Sequence, residues 1–374
     1  MRRAFRYRLY PTRPQVRAML EMLETHRRLY NRALAERQAA WEQERRSVGF
    51  SEQSAQLKAQ RLTNPYLAQT NFSSCQATLR RLDRTFQSFF ARVRRGDVAG
   101  YPKFKGRDHF DTVDFATHGD GCKITEEHVY FQHIGTIRFV RHRPMTGRIK
   151  TVSFTRHGDD WYLIVSCDLG DIQAQPHPGP AVGIDVGLEK FATFSTGEQI
   201  ANPRFFRKDE RELARAQRRL SKEAKGTPER ARRKKVVQKI HARIANRRKD
   251  FAHKLSRRLV DEFGVIVFED LEIARMIKNH CLAKSIADAA WNRLITSTAY
   301  KAEETGAVCI EVDPRGTSQR CSRCETTVKK ALSERVHRCP ACGLEIDRDL
   351  NAALNILGMG LHSLGAEPAK PSQE

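Results

Sequence analysis

The sequence predicts a multidomain chain of α/β and β class, on three observations. Val182 to Ser195 (VGIDVGLEKFATFS) reads as two short strands, and VIVFED (265–270) and AVCIEVDP (307–314) add two more, with helical periodicity between them. Strands that alternate with helices build a layered α/β domain. Between Gly100 and Leu169 the chain is β-rich, with short strand-like runs and tight turns that predict a small barrel or curled sheet. Residues 15–100 carry apolar side chains at helical spacing and predict a small basic helical module.

The elements follow in order. In RRAFRYRLY (2–10), Phe5, Tyr7 and Leu9 share one face and Arg6 and Arg8 the other, a half-buried strand. Its arginines either protect a solvated edge or contact phosphate. Pro11 stops the strand, Thr12 can cap a helix, and Pro14 fits the first turn. Val16, Met19, Leu20, Leu23, Tyr30 and Leu34 mark that helix to about Trp41, and residues 42–71 are polar and loosely patterned. A second helix starts from a Ser73 or Ser74 cap. Leu79, Leu82, Phe86, Phe89, Phe90 and Val93 form its face, with the aromatics read mostly as core, and Gly96 ends it. YPKFKGR (101–107) is a basic turn. KITEEHVYFQ, GTIRFVRHR, RIKTVSFTR and WYLIVSCDL are strands, the last two joined at HGDD. DIQAQPHPGP (171–180) reads as a linker.

Arg207 to Arg258 holds 21 Lys or Arg against 6 Asp or Glu. Gly226-Thr227-Pro228 divides it into two helices, and Val237, Ile240, Ile244, Phe251, Leu255 and Leu259 keep one buried stripe. A solvated surface helix does not require so one-sided a balance, so a basic hairpin for a nucleic-acid backbone is the better reading. Ser285 to Thr305 is an Ala-rich helix ended by Gly306, and residues after Gly358 have little pattern.

Composition agrees. The chain has 374 residues and a net charge of +23 from 67 basic and 44 acidic residues, which favours a polyanionic partner, nucleic acid above an anionic membrane. No run of 18 apolar residues is present, and MRRAFRYRLYPT has no signal-peptide core. The nine cysteines include two CxxC pairs, which fits a reduced, cytoplasmic compartment. Cys321-Ser-Arg-Cys324 and Cys339-Pro-Ala-Cys342 lie 14 residues apart, the spacing of a zinc ribbon. One Zn²⁺ held by four thiolates has no open position, so its role is structural. His337 lies close enough to substitute as a zinc ligand but reads better as a surface residue, and the remaining cysteines (75, 122, 167, 281, 309) read as small core residues.

Three acids stand where charge is hard to place. Asp185 interrupts an apolar strand, Glu269 ends another, and Asp349 opens a helix beside Asp347. Each has a plain reading: an ion pair with Lys or Arg, a strand end, an N-cap. Converging, they would repel one another unless a divalent cation sat between them. Two Mg²⁺ ions in such a set hydrolyse phosphodiesters.

RYRLYPT, FQSFFARVRRG followed by YPKFKGR, GIDVGLEKFAT, VIVFEDL, TSQRCSRC, CPACG and DRDLNAALNI stand in this order along nearly the whole chain. With these motifs the chain resembles the transposon-encoded TnpB family, relatives of the type V CRISPR effector nucleases. The resemblance implies a RuvC-like, RNase H-fold nuclease domain over residues 179–358, with a zinc ribbon inserted at 315–346. It also implies a wedge-like β-barrel from residues 1–14 and 101–172, interrupted by the helical recognition module at 15–100. The weak pattern after Gly358, ending in GAEPAKPSQE, separately predicts a disordered tail at 359–374. Carried over by position, Asp185, Glu269 and Asp349 match the catalytic, magnesium-binding acids, and Cys321, Cys324, Cys339 and Cys342 the zinc ligands. CSRCE departs from the family in lacking the usual glycine after the second cysteine.

The implied activity is RNA-guided, Mg²⁺-dependent cleavage of double-stranded target DNA beside a short adjacent motif. The implied partners are a guide RNA from the transposon end and that DNA, with no membrane. The expected place is the cytoplasm, in association with the nucleoid; the sequence does not fix the oligomeric state, and a monomer is the working expectation. Expected nucleic-acid contacts are Arg6, Gln76, Lys103, Lys105, Arg218, Arg232, Arg233 and Arg247. The alternatives are an RNA-guided repressor that does not cut, a small type V CRISPR effector, and a strand-transfer transposase.

Overall fold

The computed structural model describes residues 1–171, 174–331 and 334–365. The chain divides into two compact units, Met1–Ile172 and Gln173–Glu374.

The first unit joins a sheet and helices around one core. Strand β1 (Arg2–Tyr10) buries Phe5, Tyr7 and Leu9, as its alternation requires. Helix α1 (Arg13–Glu44) begins where the Thr12 amide donates to the Gln15 side chain at 2.9 Å. The polar stretch after it is also helical: α2 (Phe50–Thr63) and α3 (Pro65–Ala68). Apolar periodicity misses α2 because it packs on α1 partly through polar atoms. Buried Gln53 accepts from Arg37 Nε (3.0 Å) and donates to the Ala33 carbonyl (2.8 Å). Helix α4 (Phe72–Arg94) is capped by Asn71, which accepts from the Ser74 amide at 2.9 Å, so neither Ser73 nor Ser74 is the cap. Its buried face stops at Phe86: Phe90 and Val93 are half exposed. A helix end without a facing element leaves its last apolar turn in water.

Six strands follow: β2 (Thr112–Phe115), β3 (Cys122–Ile124), β4 (His128–Phe131), β5 (Gly135–Phe139), β6 (Arg148–His157) and β7 (Asp160–Asp168). With β1 they form one sheet in the order β2-β6-β7-β1-β5-β4-β3. KITEEHVYFQ is a hairpin, not one strand, because β3 and β4 pair antiparallel across it. The sheet curls. Phe115 on its first strand lies 5.1 Å from Phe131 on its sixth, and Phe131 lies 5.3 Å from Phe154 (ring centroids).

The second unit is a five-stranded mixed sheet between helices. Its elements are β8 (Ala181–Val186), β9 (Lys190–Phe194), β10 (Gln199–Ala201), α5 (Phe205–Ser221), α6 (Pro228–Glu262), β11 (Val265–Glu269), α7 (Ile273–Met276), α8 (His280–Ala289), α9 (Trp291–Thr305), β12 (Val308–Val312), β13 (Val336–Arg338), β14 (Glu345–Asp347) and α10 (Arg348–Ser363). The order is β10-β9-β8-β11-β12, with β8, β11 and β12 parallel and β9 antiparallel to β8. Val182, Ile184, Ile266 and Phe268 face a core shared with Leu255 and Leu259 of α6 and Leu294 of α9. Val267 and Val312 face the other way, onto Ile356 of α10.

Three expectations change here. The Ala-rich helix is two helices broken at Ala290, whose φ of 55° is left-handed. The predicted linker is fastened where it is described: the His177 amide donates to the Gly306 carbonyl at 3.0 Å, while residues 172–173 lie outside the described residues. Helix α10 continues through Ser363, so the expected tail is helical at its start, and residues 366–374 lie outside the described residues.

Candidate active site

Strand register brings the first two acids together. Val267 pairs with Gly183 and Phe268 with Ile184 across parallel β11 and β8. One step further along that register sets Glu269 beside Asp185, on strands about 4.8 Å apart. Side chains alternate, so both carboxylates point away from the core of Ile184 and Phe268, toward the α10 face.

Helix α10 delivers the third acid to that face. A Cβ on Gly183 would lie 2.6 Å from the Leu357 amide nitrogen and closer still to the Ala353 carbonyl. Only glycine permits α10 to sit so near β8. Two residues along β8 from Gly183 is about 7 Å, and four residues back along α10 from Ala353 is about 6 Å. The two steps therefore bring Asp349 toward Asp185. Asp347 is used differently. Its carboxylate accepts from the Asp349 and Leu350 amides at 2.8 and 3.1 Å and caps α10.

The electrostatics differ between the three. Burial pushes Asp185 up to about 8, and the neighbouring Glu269 and Asp349 carboxylates push in the same direction. No side chain donates to Asp185 among the described residues. Glu269 is buried and raised by burial, against a hydrogen bond from the Thr317 hydroxyl at 2.6 Å. Asp349 has arginines of its own, Arg348 at 3.3 Å and Arg335 at 3.8 Å. Like charges held close, one of them without a donor, suit a divalent cation, the role expected of Asp185, Glu269 and Asp349 for Mg²⁺.

The four cysteines form a tighter group. The Sγ atoms of Cys321, Cys324, Cys339 and Cys342 all lie within 4.8 Å of one another, the only such set of three or more metal-ligating groups among the described residues. Cys321 and Cys342 are 3.6 Å apart and Cys324 and Cys339 3.5 Å. A zinc tetrahedron with bonds of about 2.3 Å spaces its sulfurs about 3.8 Å apart, so the set fits Zn²⁺. Among the described residues, Asp185, Glu269 and Asp349 do not form so tight a set. A site for two ions about 4 Å apart does not require every ligand to touch every other. His337 is buried, in contact with Lys330, and is not the surface residue expected. Cys281 is exposed and not core.

The expected nucleic-acid contacts fall in different settings. Lys103 and Arg218 are exposed. Arg6 is exposed with its guanidinium 3.7 Å above the Tyr162 ring. Lys105 is held through its backbone, whose amide donates to Asn31 at 2.8 Å. Gln76 donates to Ser54 at 2.9 Å between α4 and α2. Arg232 and Arg233 pair with Glu229 and Arg247 with Asp209, at 3.4, 2.9 and 3.1 Å.

Family profiles match three stretches: "Probable transposase" over residues 164–280, "Cas12f1-like, TNB domain" over 291–356 and "Helix-turn-helix domain" over 1–46. A Streptomyces pristinaespiralis protein named "Putative RNA-guided DNA endonuclease" is 35% identical, over 96% of this chain and 90% of its own. The chain belongs to the TnpB family. A second relative, InsQ of Escherichia coli K12, carries the same description and is 29% identical over 96% of this chain and 92% of its own. This TnpB-family chain also has the fold of a Cas12f1 solved in complex with its single-guide RNA and target DNA. That likeness has a TM-score of 0.59 at 15% identity, over 91% of this chain and 82% of that one. Residues 1–46 of this family member form β1 and one unbroken α1, not two helices around a turn. Among the described residues, no helix is long and apolar enough to cross a membrane.

Sequence reasoning did not single out Thr317 or Arg348. Both sit inside motifs it used, TSQRCSRC and DRDLNAALNI, which it read for cysteines and acids alone.

Proposed function

We propose that this chain is an RNA-guided DNA endonuclease that hydrolyses phosphodiester bonds of target DNA with Asp185, Glu269 and Asp349 as ligands of two Mg²⁺ ions. The observation that carries the reading is the convergence of these acids on one face of the sheet, with Asp185 lacking a donor among the described residues and lifted to about 8. The mixed five-stranded order, two antiparallel strands leading into three parallel ones, supports an RNase H-like, RuvC-type nuclease domain. Mg²⁺ bound there would activate water and stabilise the leaving oxygen. The chain itself orders the ligands: β8 and β11 fix two carboxylates in register, and α10 presents the third. Cys321, Cys324, Cys339 and Cys342 hold one structural Zn²⁺. The full-length relatives named as RNA-guided DNA endonucleases support the guide RNA and target DNA as partners.

The test copurifies the protein with its RNA and adds target DNA and Mg²⁺. Broken target strands are expected, and Asp185→Ala should abolish them. Cutting that survives Asp185→Ala removes the assignment. The transposase profile over 164–280 favours a second reading, strand transfer by the same acids, in which joined products replace broken ends.

A further inference from the structure

We propose that Thr317 is a positioning residue for Glu269, and that α10 fixes Thr317 through Asn351 and Asn355. The inference rests on Glu269 being an ion ligand. Thr317 is buried, and its Oγ1 lies 2.6 Å from Glu269 Oε1 and 3.1 Å from the Pro314 carbonyl. A hydroxyl has one proton, and the carboxylate is the closer and stronger acceptor. Glu269 Oε2 has no hydrogen-bond partner among the described residues. Thr317 thus holds one oxygen and leaves the other for an ion.

The loop that carries Thr317 is held from one side. Asn355 Nδ2 donates to the Thr317 and Arg320 carbonyls, both at 2.7 Å. Asn351 Nδ2 donates to the Arg320 carbonyl at 2.7 Å, and its Oδ1 accepts from the Ser322 amide at 3.0 Å. Asn351 and Asn355 are four residues apart and so share one face of α10. Asp349 sits on the same helix, one turn before Ala353. One helix therefore supplies the third acid and orients the second. Outer-shell groups of this kind typically change metal affinity about 10–100-fold.

A purely structural Thr317, closing a turn onto Pro314, is separable by experiment. Mn²⁺, a paramagnetic stand-in for Mg²⁺, is titrated into the full chain with its copurified RNA and free ion is read by electron paramagnetic resonance. Zinc content and melting are recorded in parallel. Thr317→Val should weaken Mn²⁺ binding about tenfold with zinc retained, and Thr317→Ser, which keeps the hydroxyl, should bind nearly as wild type. Asn355→Ala, which leaves Thr317 in place, should shift binding in the same direction and serves if the valine variant folds poorly. Wild-type Mn²⁺ affinity in Thr317→Val or Asn355→Ala, or an equal loss in Thr317→Ser, overturns the proposal. Glu269→Gln is run alongside. If it leaves binding unchanged, the ion-site reading fails and takes the proposal with it. If it abolishes binding while Thr317→Val does not weaken it, Thr317 alone is refuted.

Discussion

Asp185→Asn should stabilise the Mg²⁺-free protein, and more so as pH rises. The substitution keeps the shape and deletes one charge. In the folded chain Asp185 ionises near 8, against an ordinary 3.8. Folding therefore takes up a proton between these values. The stability this group contributes is complete below about 4 and is lost as pH rises through about 8. Four decades of proton affinity amount to about 5 kcal/mol at full strength. Partial exposure of Asp185 and relaxation of its neighbours reduce this to about 2 kcal/mol. For a unit of this size that raises the melting temperature by about 4–8 °C at pH 8.5. Calorimetry at pH 5, 7 and 8.5, with zinc kept and no chelator added, should find the gap widening with pH. Mg²⁺ should then stabilise wild type by about 2.7 kcal/mol at a hundredfold excess over its Kd, and the variant far less. A variant no more stable than wild type at pH 8.5, or a gap that narrows with pH, would refute the argument.

Other outcomes follow from the same geometry. Plasma mass spectrometry should find one zinc per chain, lost in Cys324→Ser or Cys342→Ser together with several degrees of melting temperature. Gly183→Ala should destabilise the second unit by about 3 kcal/mol, because the new methyl meets the α10 backbone, and urea melts would detect it. Lys103→Glu with Arg218→Glu should weaken RNA binding and lower the slope of log K against log salt by about 0.7 for each phosphate no longer neutralised. An unchanged slope would place those side chains away from the nucleic acid.

Much of this architecture is readable in the chain because local pattern and tertiary demand agree. Phe5, Tyr7 and Leu9 alternate and are buried, and Gly226-Thr227-Pro228 falls where α5 gives way to α6. The acids are legible because a carboxylate in an apolar strand has no ordinary place. What stays hidden depends on partners distant in sequence. Helix α2 shows no apolar periodicity because a buried Gln53–Arg37 contact replaces part of a greasy face. Phe90 reads as core because nothing local says that α4 outruns its packing partners. Thr317 cannot be assigned from sequence, since its partner is 48 residues earlier.

The basic hairpin of α5 and α6 carries a consequence for stability. Ion pairs such as Arg233–Glu229 and Arg247–Asp209 remove charges in equal numbers, so they leave the imbalance of 21 against 6 intact. Acids from outside the stretch, Glu198, Asp261, Glu262 and Asp288, relieve only part of it. The apolar stripe of Leu213, Ile240 and Ile244 lies between the two helices, so the surplus points outward and repels itself. Salt screens that repulsion and a bound polyanion removes it. Amide exchange in α5 and the first half of α6 should therefore slow as ionic strength rises and slow further with bound RNA. Exchange there that ignores both would mean the surplus charge is already balanced within the protein, leaving the hairpin no electrostatic reason to hold RNA.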